Sequence, residues 1–102
     1  MPLAQLHITQ RARRDIERLE DFLREGGDPT ALDLLDFLLD GLDVLAHQPG
    51  IGRPVGQGLR ELILTRGKSG YLARYEWRRD AGRVLVLRIR HQRETGYTDD
   101  EV

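Results

Sequence analysis

His91 is the side chain best suited to moving a proton near neutral pH, and it stands in a run rich in guanidinium groups, Val84-Leu-Val-Leu-Arg-Ile-Arg-His-Gln-Arg-Glu-Thr-Gly-Tyr97. A histidine with a pKa of about 6.5 can serve as a general acid or base; Arg88 and Arg90 beside it would lower that pKa and offer cations to a phosphate. By position, however, His91 shares the parity of Leu87 and Ile89, which fits a capped structural histidine equally well. Glu61 is a second titratable candidate, but a glutamate next to Arg60 on a strand is more often half of a cross-strand ion pair. His7, His47 and His91 fall on separate elements without ligand spacing, so no metal site is expected. The glycine- and proline-rich stretch Pro49 to Gly58 lacks the Gly-Lys-Ser/Thr ending of a phosphate loop, and no cofactor is implied.

These groups need a sheet to hold them. Three strands are expected at hairpin spacing: Leu59 to Thr65, Tyr71 to Arg78 and Arg83 to His91, with turns at Arg66–Gly70 and Arg79–Gly82. In the middle strand Tyr71, Ala73, Tyr75 and Trp77 share one side, while Leu72, Arg74, Glu76 and Arg78 share the other. If the aromatic side packs with Leu85, Leu87 and Ile89, then Arg74, Arg88 and Arg90 share an open cationic face. Upstream, Leu3 to Ile8 reads as a short strand and Thr9 as the N-cap of a helix with the stripe Ala12, Ile16, Leu19 and Leu23, stopped at Gly26-Gly27. Asp28-Pro29 starts a second helix running to about His47, its stripe being Leu35, Leu38, Leu42 and Leu45, broadened by Leu32, Leu34 and Leu39. Asp33, Asp36, Asp40 and Asp43 lie within about 80° of arc on another side. Gly41 inside this helix implies a close contact with a neighbouring element.

The chain has 102 residues, no cysteine and a net charge of −1, which fits one small domain over residues 1–102 with no disulfide or thiolate chemistry. No apolar run approaches the roughly 18 residues of a membrane span and Met1-Pro2-Leu3 begins no signal peptide, so a cytoplasmic protein is the expectation. The small net charge conceals segregation. Residues 15–43 hold ten acids against two arginines, and residues 53–93 hold eleven basic against three acidic side chains. Such a field favours an anionic partner for the C-terminal half, unless the two halves pair internally.

The order strand, helix, helix, three strands resembles the RelE/ParE superfamily of bacterial type II toxins. The resemblance rests on Ile8-Thr9 followed by Ala12 to Asp15, Leu45 to Pro49 leading to Gly52-Arg53, Leu59-Arg60-Glu61-Leu62, the Tyr71 to Tyr75 strand, and the Leu87 to Tyr97 ending. It implies an α+β domain, a helical hairpin on one face of a largely antiparallel sheet, and a growth-inhibiting toxin neutralised by a cognate antitoxin in a hetero-oligomer. The family divides by target. ParE-like members, the plasmid-stabilisation branch, poison DNA gyrase by binding, whereas RelE-like members cut mRNA on the ribosome.

For the ribonuclease alternative the resemblance implies Arg74 as the phosphate-stabilising arginine, His91 as acid or base, and Tyr97 as the loosest match. Against it, RelE-type sites draw several lysines into the central strands, and here Lys68 is the only lysine, in a turn. Leu59-Arg60-Glu61 and Arg-His-Gln-Arg-Glu look more like the ParE branch, so a gyrase poison without hydrolytic chemistry is the first expectation. Arg60, Arg74, Arg88, Arg90 and Arg93 are then the candidates for contact with target or antitoxin. A third alternative is a non-toxic partner or co-repressor of the antitoxin.

Overall fold

A computed structural model describes residues 3–94. Strand β1 (Gln5–Ile8) leads into α1 (Gln10–Glu25), then a 3-10 turn (Pro29–Asp33), α2 (Leu34–Leu42) and a short α3 (Val44–His47). Four strands follow: β2 (Arg53–Gly56), β3 (Leu59–Arg66), β4 (Ser69–Arg78) and β5 (Arg83–His91). The sheet order is β1-β5-β4-β3-β2, with β1 parallel to β5 and every other pair antiparallel. The helices cover one face, where the Tyr71 ring meets Phe37 of α2 at 6.1 Å between centroids. No described helix is long and apolar enough to cross a membrane.

Thr9 caps α1 as expected, its side chain accepting the Ala12 N–H, and Ala12, Ile16 and Leu19 are buried. The second helix departs from expectation. Asp28 does cap a helical start, but the first turn is 3-10, and the continuous helix is broken again at Asp43. Because a 3-10 turn winds with 3.0 rather than 3.6 residues per turn, the stripe changes at its junction with α2, while Leu38, Leu42 and Leu45 stay buried as expected. The buried stripe is therefore Ala31, Leu34, Leu38, Leu42 and Leu45, while Leu32 is 89% exposed and Leu35 and Leu39 are also exposed. Gly41 is explained by proximity: a Cβ there would stand 2.6 Å from Leu64 Cδ2 of β3.

Two features of the sheet were hidden by the expected pattern. Residues Arg53–Gly56, read as loop, pair with β3 as an edge strand, a place where Pro54 lacks no needed donor. In β5, Arg74 faces Arg88 and Tyr75 faces Val86, so Leu87 is an extra residue in a bulge. The bulge reverses the alternation. Val84, Val86 and Ile89 are fully buried against the helices, whereas Leu85 and Leu87, expected in the core, are only half-buried.

The expected open face also loses Arg88, which is 1% exposed although its backbone stays opposite Arg74. Its Nε donates to Asp15 Oδ2 at 2.8 Å and its Nη2 to Asp15 Oδ1 at 3.1 Å. Asp15 Oδ2 also accepts the Ile89 N–H at 2.8 Å. β1 ends its pairing at Val86, so β5 beyond that point has no strand on this side. Thr9 bonds the Val86 carbonyl, and the Asp15 carboxylate then takes the next available donor.

Removing Asp15 leaves a buried guanidinium and a buried N–H without their acceptor. Asp15→Ala is expected to cost about 3–5 kcal/mol in urea unfolding, and Asp15→Ala combined with Arg88→Leu to recover much of that loss. A single-variant cost under about 1 kcal/mol would contradict this account.

Candidate functional site

The Pro49–Gly52 loop is fixed from below by β4. Buried Tyr75 donates its hydroxyl to the Pro49 carbonyl at 2.7 Å and accepts the Gly52 N–H at 2.8 Å, and burial pushes its pKa up. A Cβ at Gly52 would come within 2.6 Å of that hydroxyl and 2.9 Å of the Glu61 carbonyl, so only glycine fits. Arg60 clamps the same loop, its Nη1 donating to the Gly50 and Gly52 carbonyls at 3.1 and 2.8 Å. Arg60 thus serves the loop, on the helix-covered side, and does not join the outward cations.

On the outer face Glu61 is 3% exposed, with Arg53 at 3.0 Å from Oε1 and Arg74 at 3.5 Å from Oε2. The expected cross-strand ion pair is present, made with the partners directly opposite on both neighbouring strands, Arg53 and Arg74. Arg90 lies opposite Leu72 on this face, and its Nη1 donates to the Glu94 carbonyl. Ile63, half exposed, is the apolar element among these cations. Of the expected cationic set, Arg74 and Arg90 share the outer face, Arg88 is buried elsewhere and Arg93 sits in the turn after β5.

His91 lies on the other side. Its ring meets Tyr71 edge-on at 5.1 Å, and its Nδ1 accepts the Arg93 N–H at 3.0 Å. Burial, and then the Arg93 charge, hold its pKa below the ordinary value, with Glu94 partly opposing them. Arg88 and Arg90, expected to exert that effect, are directed elsewhere. His91 follows the Tyr71–Ala73–Tyr75 face and Arg74 the opposite face, so the sheet separates the two described members of the ribonuclease set; Tyr97 lies outside the described residues. Lys68 is in the β3–β4 turn.

Two functional neighbours escaped sequence reasoning. Asp15 was legible in principle, since it falls inside the apolar stripe between Ala12 and Ile16, where a carboxylate must find a partner. Glu94 gave no such signal: it receives Arg18 at 2.7 Å and the His91 N–H at 2.8 Å only because the turn folds back.

The lowered pKa of His91 makes stability depend on pH. The unfolded state takes up the proton first, so the contribution is complete above about pH 6.5 and is lost as pH falls through the folded pKa. Urea midpoints from pH 7.5 to 5 should therefore fall more steeply for the native chain than for His91→Gln; parallel profiles would contradict this. Gly52→Ala should destabilise by about 1–3 kcal/mol, and Tyr75→Phe, which strands the Gly52 N–H, by a similar amount in the same measurement.

Residues 6–96 match a family model described as the ParE toxin of the type II toxin-antitoxin system parDE. Two relatives from Caulobacter vibrioides are similar over most of their length. Toxin RelE3 is 34% identical over 87% of this chain and 95% of its own, and Toxin RelE1 is 41% identical over 82% and 88%. Among solved structures, the fold is similar to a chain of the chromosomal ParDE system from P. aeruginosa, with TM-score 0.70, 24% identity, and 87% and 96% of the two chains covered. A chain of the toxin-antitoxin complex RelBE2 from Mycobacterium tuberculosis superposes with TM-score 0.61, at 20% identity over 92% and 97%. With a family match across most of its length and relatives at these identities, the protein belongs to the ParE toxins of type II toxin–antitoxin systems.

Proposed function

We propose that this toxin arrests growth by binding DNA gyrase in the cytoplasm rather than by hydrolysis, and that a cognate antitoxin neutralises it in a hetero-oligomeric complex. The single observation supporting binding over catalysis is the separation of Arg74 and His91 by the sheet, with Arg74 held by Glu61. In-line attack of a ribose hydroxyl on its phosphate needs a proton acceptor and a phosphate cation on one side of the same scissile bond. The match to the ParE family points the same way, and the structural neighbours come from toxin–antitoxin systems.

The outer sheet face is the surface we assign to the target: Ile63 half exposed among Arg53, Arg74 and Arg90. An apolar centre ringed by guanidinium groups suits a protein surface bearing carboxylates. Arg88 is no part of it, because reversing a buried, paired arginine would test folding instead.

Expression without antitoxin is expected to cause filamentation and loss of gyrase supercoiling activity. Ile63→Asp, at the half-exposed centre of this face, should weaken gyrase inhibition by at least about tenfold, with an unchanged urea midpoint showing that the fold persists. Cleavage of mRNA on ribosomes would establish the ribonuclease alternative, and normal growth with a folded product would establish the non-toxic one; either outcome overturns this reading.

A further inference from the structure

Beyond Val86 the edge of β5 has lost its neighbour β1, and side chains take over the pairing. The N–H groups of Ile89 and His91, two residues apart and so on one edge, each donate to a carboxylate at 2.8 Å, the first to Asp15 Oδ2 and the second to Glu94 Oε1. Arg18 of α1 stands between these acids. Its Nη1 is 2.7 Å from Glu94 Oε2, and its Nη2 is 3.9 Å from Asp15 Oδ1. An ionic chain thus runs along the strand edge from Arg88 through Asp15 and Arg18 to Glu94.

Glu94 differs from Asp15 in what its backbone does. It closes a turn in which its N–H donates to the His91 carbonyl at 3.0 Å, the Arg93 N–H to His91 Nδ1 at 3.0 Å, and the Gln92 N–H to the Gly70 carbonyl at 2.8 Å. The turn is therefore tied to β4, to β5 and, through the Glu94 carboxylate, to α1. With the residue fixed in this way, its carbonyl oxygen accepts Arg90 Nη1. Arg90 lies on the outer face of the sheet, opposite Leu72, and Arg18 on the helix-covered side. One residue joins the two. A guanidinium anchored before it meets a partner loses less rotamer freedom on binding than one left in water, which is where such an anchor gains affinity.

We propose that Glu94 is a positioning residue for the outer face: Arg18 locks its carboxylate, the carboxylate sets the turn, and the turn's carbonyl aims the Arg90 guanidinium. That a target is met on that face rests on the function proposed above; the coupling of Arg18 to Arg90 does not.

The test uses the full chain, made by cell-free synthesis with 15N-arginine, and follows the Arg90 Nε–H resonance beside inhibition of gyrase supercoiling. Arg18→Met and Glu94→Ala are each expected to move that resonance and to weaken inhibition about fivefold, the double variant being no weaker than either single one. Arg18→Lys, which keeps a charged donor for Glu94, should hold inhibition within about twofold of the native chain. Arg24→Met breaks an exposed ion pair of the same helix, with Asp21, and should change neither readout. An unmoved Arg90 resonance in both single variants would overturn the coupling, as would a double variant weakened by the product of the two. A moved resonance with inhibition at native strength would overturn the positioning role. If the native chain leaves gyrase untouched while Arg90 still answers Arg18→Met, the coupling stands and the target reading alone fails.

Discussion

The carboxylate of Asp15 is the constraint around which the rest of the molecule is arranged. It neutralises a buried guanidinium and accepts a backbone N–H of β5 at a point where β1 has ended, so a helix side chain completes a sheet edge. Burying both charges is costly, and an apolar pair of similar volume could equal it in stability. What the ionic pair adds is a fixed point: it holds β5 to α1 immediately after the bulge that decides which β5 residues enter the core.

The segregated charge of the sequence acquires a different meaning in this light. Arg88 from the basic half meets Asp15 from the acidic half, and Arg66 meets Asp33 while stacking over Phe37. Arg53 and Arg74 converge on Glu61. Much of the arginine excess is thus structural cross-linking, from sheet to helices and within the sheet, and the guanidinium groups left for partners are fewer than composition implies. Arginine suits both tasks because its planar fork can bond two acceptors at once.

The fold was largely readable from periodicity. α1 with its Thr9 cap, the β3–β4–β5 meander, the ion pair at Glu61 and the tight approach at Gly41 all follow from local residue types. The inward residues of β5 were only half readable, because alternation presumes a regular strand, and one extra residue at Leu87 reverses every assignment before it, while Arg88 was misplaced because its acceptor, Asp15, lies on a distant helix. In the second helix Leu38, Leu42 and Leu45 are buried as their spacing implies, and only the first position differs, Leu34 in place of Leu35, beside a 3-10 turn that a pattern of leucines does not reveal. β2 escaped because proline and glycine count against a strand everywhere except at an edge.

The parallel pairing of β1 with β5 also has a temporal meaning. Residues Gln5–Ile8 find their partners only at Arg83–Val86, and Asp15 finds its own at Arg88. During translation the first strand and helix must wait until β5 has left the ribosome, and such long-range closure is slow. Docking of the first strand and helix is therefore a late event, tied to the appearance of β5.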